Sequence, residues 1–188
     1  MKFVEDKIIE SGHVIGDDIL KVDNFLNHQI DSKFADEVGK FFASSFDGFN
    51  KVLTIETSGV AFALTTANHK NYVPVVFAKK SKSKIVDLST CYSTNIKSFT
   101  RGLVSEVTVD KKYLTSNDRV LIVDDFLAEG NAALGLIDLC KQAGASVVGV
   151  CAVINKSFQG GEDAISRLGI KVVSGARIVA FKDGKPVF

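Results

Sequence analysis

The residues best suited to chemistry lie in one stretch, VLIVDDFLAEGNAALGL, at 120–136. An apolar run leads into two adjacent carboxylates, Asp124 and Asp125, and then into a turn of mostly small residues, Ala128, Glu129, Gly130, Asn131 and Ala132. A turn between a buried strand and a helix offers backbone N–H groups and a helix N-terminus to an anion. Gly130 lets the backbone approach a phosphate with no side chain between them. Two carboxylates beside that cradle would repel phosphate unless they face something else, and the hydroxyls of a phosphorylated sugar are suitable donors. On spacing alone, the alternative is that Asp124 and Asp125 simply end the strand. Neither a Walker A pattern nor GxGxxG occurs, so ordinary nucleotide triphosphatase and dinucleotide sites are unsupported.

Other candidates are scattered along the chain. Glu56, Thr57, Ser58 and Gly59 follow a short β-branched run, where hydroxyls and a glycine backbone suit an anion, although TSG serves equally as a helix cap. Lys79, Lys80 and Lys82 form a basic run that, taken alone, reads as a solvated surface. Lys156 follows an apolar strand, and Phe126 follows the carboxylates, where it could stack on a ring or pack in the core. His28 and His69 have no partner spacing that suggests catalysis. Cys91, Cys140 and Cys151 make no CxxC or Cys/His ligand pattern and read as thiols in a reducing compartment.

The elements that must position these residues alternate in type. Strands are expected at 51–56, 73–78, 119–125 and 146–154, with a last pair near 171–174 and 176–181. Helices are expected at Phe3–Ser11, from an Asp31 cap to about Ser45, at Val60–His69, at Gly130–Ala143 with Gly144 as a left-handed cap, and at Gly161–Leu168. Continuous apolar strands alternating with helices indicate an α/β fold whose parallel sheet is covered on both faces. VIGDDILKVDNFLNHQI, between the first two helices, reads as short extended structure or loop, a lobe that could cover a site. The polar stretch from Lys79 breaks the rhythm, with a mobile loop expected over Lys79–Thr90. A hairpin of Cys91–Phe99 and Leu103–Val109 is expected to turn at Arg101-Gly102.

Composition narrows the classes. The 188 residues are 46% hydrophobic and 24% charged, enough apolar material for a sizeable core. Lys and Arg total 23 against 22 Asp and Glu, a net charge of +1, which gives no electrostatic footprint for nucleic acid or an anionic membrane. No apolar run approaches the roughly 20 residues that span a bilayer. MKFVEDKIIESG lacks the apolar core of a signal peptide, so a cytoplasmic location is expected.

The 120–136 stretch resembles the phosphoribosyl pyrophosphate signature of type I phosphoribosyltransferases. LKVDNFLNHQID at 20–31, TIETSGVA at 54–61, VPVVFAKK at 73–80 and NKSF at 155–158 also resemble, in the same order, bacterial xanthine phosphoribosyltransferases. The resemblance implies a single domain over 1–188, with a central parallel sheet flanked by helices, a small hood lobe from residues about 1–30, and a flexible hairpin loop. It implies a purine-salvage transferase that takes phosphoribosyl pyrophosphate and xanthine to xanthosine monophosphate and pyrophosphate. Ala128–Ala132 would then hold the ribose phosphate, and Asp124 and Asp125 the ribose hydroxyls. Glu56–Gly59 with Lys79, Lys80 and Lys82 would hold pyrophosphate. Leu20, Asn27, Phe126 and Lys156 would meet the purine, with Lys156 donating to an oxo group and Asn27 offering both donor and acceptor. Substrate-bound Mg²⁺ and a homodimer are implied as well. Many hypoxanthine and guanine enzymes carry an acidic residue where this chain has Ala128 and a Thr where it has Ala132, a departure that leaves the general base unassigned. The alternatives are a related adenine or hypoxanthine/guanine enzyme, or a non-catalytic sensor of phosphoribosyl pyrophosphate. The sensor would want a DNA-binding module that the N-terminal segment has no room for.

Overall fold

Apolar runs with both faces covered must pack two helix layers against one sheet, and the computed structural model has that arrangement. It describes residues 1–16, 19–80, 88–97 and 104–188. Strands β3 (Lys51–Ile55), β4 (Val75–Lys80), β7 (Arg119–Leu127), β8 (Ser146–Lys156) and β9 (Val172–Ile178) run parallel in the order β4-β3-β7-β8-β9. At the β4 edge, β6 (Val104–Asp110) pairs antiparallel, followed by β5 (Cys91–Lys97), so the seven-stranded sheet is parallel except for this hairpin. Two smaller hairpins stand apart: β1 (His13–Ile15) with β2 (Ile19–Lys21), and β10 (Ala180–Lys182) with β11 (Lys185–Val187).

Alternation along β7 divides the core in two. Leu121 and Val123 join the helices α1 (Lys2–Ser11), α2 (Ser32–Ser45) and α3 (Gly59–Asn68) on one face. Val120 and Ile122 join α4 (Asn131–Ala143) and α5 (Gly161–Ser166) on the other. All four are fully buried, as a strand in the middle of a doubly covered sheet requires. The expected caps hold: Asp31 Oδ1 accepts from Phe34 N–H at 3.1 Å, and Gly144 sits at φ 71° while its N–H closes α4. Asp31 also pairs with Lys7 at 2.8 Å, tying α1 to α2.

Four expectations are corrected. Strand β7 does not stop at Asp125 but runs to Leu127, because Phe126 and Leu127 still pair with β8. Lys79 and Lys80 belong to β4, paired with Thr108 and Val107, and not to a loop. The last two strands divide at Val179 and not at Gly175, with β9 running Val172–Ile178 and β10 beginning at Ala180, so β9 is not broken at Gly175. A Cβ there would lie 2.6 Å from Val153 O and 3.3 Å from Val4, so this glycine admits the start of α1, whose N-terminal amine donates to Gly175 O. The chain then adds the β10–β11 hairpin, turned by Asp183 and Gly184 at φ 50° and 71°, an Asp-Gly signal that the sequence carries in plain view. The N-terminal lobe is a hairpin followed by a helical turn at Asp23–Asn27. The proposed turn at Arg101-Gly102 and most of the Lys79–Thr90 loop lie outside the described residues.

Candidate active site

Parallel strands deliver their C-terminal ends to one edge of the sheet, and loops beyond that edge form the cleft. A cleft of about 280 Å³ opens there, between the ends of β3, β4 and β7 and the β5–β6 hairpin. Glu56, Thr57 and Ser58 form one wall, and Asp124 through Ala133 run along another. Lys80 and the hairpin residues Ile96, Lys97, Ser105 and Val107 complete it. Pairing of β3 with β7 ends at Leu53↔Ile122, which leaves room for the two turns to diverge.

Each turn has its own local logic. The peptide bond Glu56–Thr57 is cis, and Glu56 Oε1 accepts from Lys80 N–H at 2.6 Å, joining the first turn to β4. Gly130 adopts φ 84°, a left-handed conformation that glycine takes without strain, and its carbonyl starts α4 by accepting from Leu134 N–H at 2.8 Å. Asn131 Nδ2 donates to Glu129 Oε2 at 2.9 Å across the same turn.

The carboxylates are held differently. Asp124 is buried, and its Oδ1 accepts from Asp125 N–H at 2.9 Å. Asp125, half-buried, repeats the arrangement with Phe126 N–H at 2.9 Å. Burial pushes the Asp124 carboxyl well above the usual range, the negative charge of Asp125 adds to the push, and Lys80 opposes it only in part. Thr54, fully buried beneath, has an Oγ1 with no hydrogen-bond partner among the described residues. A Cβ on Gly59 would run into that oxygen and lie 2.9 Å from Asp124 Oδ1, so Gly59 brings the start of α3 close against Asp124 without itself lining the cleft.

The remaining residues separate into neighbours and outliers. Lys156 is buried at the end of β8 with Nζ 5.9 Å from the centre of the Phe126 ring, a cation–π distance. Leu20 is buried in the core, and Asn27 is exposed at the end of the Asp23–Asn27 turn. Lys79 is not in the cleft. Strand alternation turns it to the opposite face from Lys80, beside the Phe77 ring and a second cavity of about 670 Å³. Lys82 lies outside the described residues. The residues that sequence reasoning passed over are Ile96, Lys97, Ser105 and Val107. They reach the cleft through the pairing of β5 with β6, in which Ile96 lies opposite Ser105.

Elsewhere, His69 Nε2 meets Asp36 Oδ1 at 2.9 Å and links α3 to α2, a structural use. The three cysteines are free thiols, and burial pushes Cys140 up to about 12 and Cys151 higher still, so neither is a ready nucleophile. Among the described residues no helix is long and apolar enough to cross a membrane.

Known proteins resemble the chain at two levels. In fold, an adenine phosphoribosyltransferase from Trypanosoma brucei, in complex with AMP, pyrophosphate and ribose-5-phosphate, aligns with a TM-score of 0.78 at 18% identity, covering 98% of this chain and 85% of that one. Adenine phosphoribosyltransferase from Thermoanaerobacter pseudethanolicus aligns with a TM-score of 0.73 at 20% identity, covering 92% and 98%. In sequence, the phosphoribosyl transferase domain matches residues 26–173. Xanthine phosphoribosyltransferases of Streptococcus pneumoniae and Clostridium novyi are 46% and 47% identical over 100% of this chain and 97% and 99% of theirs. The chain therefore belongs to the phosphoribosyltransferase family, and within it to the xanthine phosphoribosyltransferases.

Proposed function

We propose that this protein transfers the 5-phosphoribosyl group of phosphoribosyl pyrophosphate to xanthine, giving xanthosine monophosphate and pyrophosphate in purine salvage. The observation that carries the reading is convergence: the carboxylate pair, the Ala128–Ala132 turn and the Glu56–Ser58 turn line one cleft, with the Phe126–Lys156 pair at its side. The Ala128–Ala132 backbone and the start of α4 receive the 5-phosphate. Asp124 and Asp125 accept from the ribose hydroxyls. Thr57, Ser58 and Lys80 face the leaving pyrophosphate, and Lys79, turned away from the cleft, has no part in it. The purine stacks on Phe126, and Lys156 donates to an oxo group, which favours xanthine over adenine. Asn27, exposed on the hood lobe, is the second polar group for the base, and Leu20 shapes that lobe from within the core.

A purine ring nitrogen attacks the anomeric carbon as the bond to pyrophosphate breaks, so positive charge grows on the ribose and negative charge on the leaving group. Lys80 and the N–H and hydroxyl donors of the two turns offset the second charge, and the carboxylates offset the first. Among the described residues there is no group of three or more His, Cys, Asp or Glu to cage a metal. The donor set would suit Mg²⁺ that arrives on substrate oxygens, with the half-buried Asp125 as a protein carboxylate that could join them, and bound Mg²⁺ would supply charge neutralisation at the pyrophosphate. The reading places the enzyme in the cytoplasm, working as a homodimer.

The test is product chemistry: purified protein with xanthine, phosphoribosyl pyrophosphate and Mg²⁺ should form xanthosine monophosphate and pyrophosphate in equal amounts. Binding of phosphoribosyl pyrophosphate without product from any purine would transfer the reading to a sensor.

A further inference from the structure

The Ala128–Ala132 turn leans on backbone from the far end of the chain. Gly161, the first residue of α5, donates its N–H to Ala128 O at 3.0 Å. A Cβ on Gly161 would collide with that carbonyl oxygen and lie 2.6 Å from Gly130 N and 2.9 Å from Glu129 C. The contact is mutual, since a Cβ on Gly130 would lie 3.0 Å from Gly161 Cα and 3.3 Å from its carbonyl oxygen. Every atom in the way is backbone and cannot swing aside as a side chain would. A methyl group at 161 must therefore move the turn itself, including Gly130 N–H, one of the donors an anion would use.

Something must hold α5 in place for this contact to have force. Glu162, the next residue, accepts from Asn155 Nδ2 at 2.9 Å and from Arg177 Nε at 2.9 Å on the same oxygen. Asn155 is fully buried at the end of β8, and Arg177 lies on the adjacent β9, so two neighbouring strands anchor the first turn of α5. Asn155 precedes Lys156, and alternation sends the two side chains to opposite faces of the sheet, Lys156 towards Phe126 and Asn155 towards α5. The anchor is therefore separate from the base side of the cleft.

We infer that Gly161, held by the Asn155–Glu162–Arg177 cluster, is a positioning residue for the phosphate-binding turn, and that it governs affinity for the phosphorylated sugar and not for the purine. The inference rests on the proposed role of Ala128–Ala132. The experiment compares wild type, Gly161→Ala and Glu162→Gln by steady-state kinetics and by direct binding of ribose 5-phosphate. Gly161→Ala should raise KM for phosphoribosyl pyrophosphate and Kd for ribose 5-phosphate by about tenfold, with KM for xanthine changed by no more than about twofold. Glu162→Gln, which keeps the shape and weakens the anchor, should move the same two constants by about threefold. If Gly161→Ala fails to fold, Glu162→Gln with a wild-type Tm carries the comparison. Unchanged ribose 5-phosphate binding in a folded variant, or equal losses for purine and sugar, would overturn the positioning role alone. Wild-type protein that does not bind ribose 5-phosphate would take down the phosphate reading and this inference with it.

Discussion

At the start of β7, Asp118 is 8% exposed, and near its end Asp124 is 6% exposed, yet the fold treats the two carboxylates in opposite ways. Burial works against ionising Asp118, but Lys51 Nζ at 2.8 Å and the N–H and hydroxyl of Thr115 at 2.7 and 3.1 Å outweigh it and hold its carboxyl below the usual range. Asp124 has burial, a second carboxylate next door and one backbone donor, and its carboxyl is pushed up. The first end is a closed ion pair that serves the fold. The second is an unsettled acid facing a cleft, the pattern expected where a ligand completes the arrangement.

The sharpest way to break this comparison is to neutralise both acids at the cleft end. Asp124→Asn with Asp125→Asn should lower kcat/KM by about a thousandfold while Tm stays level or rises, because a burdened charge is removed with its function. Loss of Tm alongside activity would make the pair structural after all. A smaller effect is expected beside them: Lys156→Met should raise KM for xanthine by about thirtyfold and leave KM for phosphoribosyl pyrophosphate near wild type. At the other end of β7 the outcome should invert. Asp118→Ala should cost about 2 kcal/mol, or roughly 4–8 °C in Tm, because Lys51 and Thr115 lose their acceptor, with kcat/KM unchanged well below the transition.

The smallest effect is in pH. Folded protein binds more protons than unfolded at Asp124 between the ordinary carboxylate value and its raised one, so that group's contribution to stability falls as pH rises through this window. Asp118 is the reverse: its contribution is present above the ordinary value and lost as pH falls through its lowered one. The Tm of Asp124→Asn relative to wild type should therefore climb as pH rises, and the deficit of Asp118→Ala should shrink as pH falls. Thermal melts across the acid range read both, and parallel curves for the two variants would erase the distinction.

Much of this was legible in the sequence because local rules carried it. The buried strands, the Asp31 and Gly144 caps and the carboxylate–turn motif each rest on residues adjacent in the chain. What was missed depends on distant neighbours. Gly175 has the composition of a strand break, and only the packing of α1 against it accounts for a glycine inside β9. Lys79 and Lys80 are alike as charges, and only their place in a strand, β4 paired with β6, sends them to opposite faces. Lys97 and Ser105 enter the cleft through a cross-strand pairing that their own polarity does not announce. The Asp183-Gly184 turn rests on a local signal and is readable from the chain alone.

The central claim is the transfer of phosphoribose to xanthine, and initial rates with xanthine, guanine, hypoxanthine and adenine under saturating phosphoribosyl pyrophosphate and Mg²⁺ test it most directly. The account predicts the highest kcat/KM with xanthine and the lowest with adenine, whose amino group offers Lys156 no acceptor. A preference for adenine would contradict the roles given to Lys156 and Asn27, and no turnover of any purine would contradict the reading of the cleft as a catalytic site.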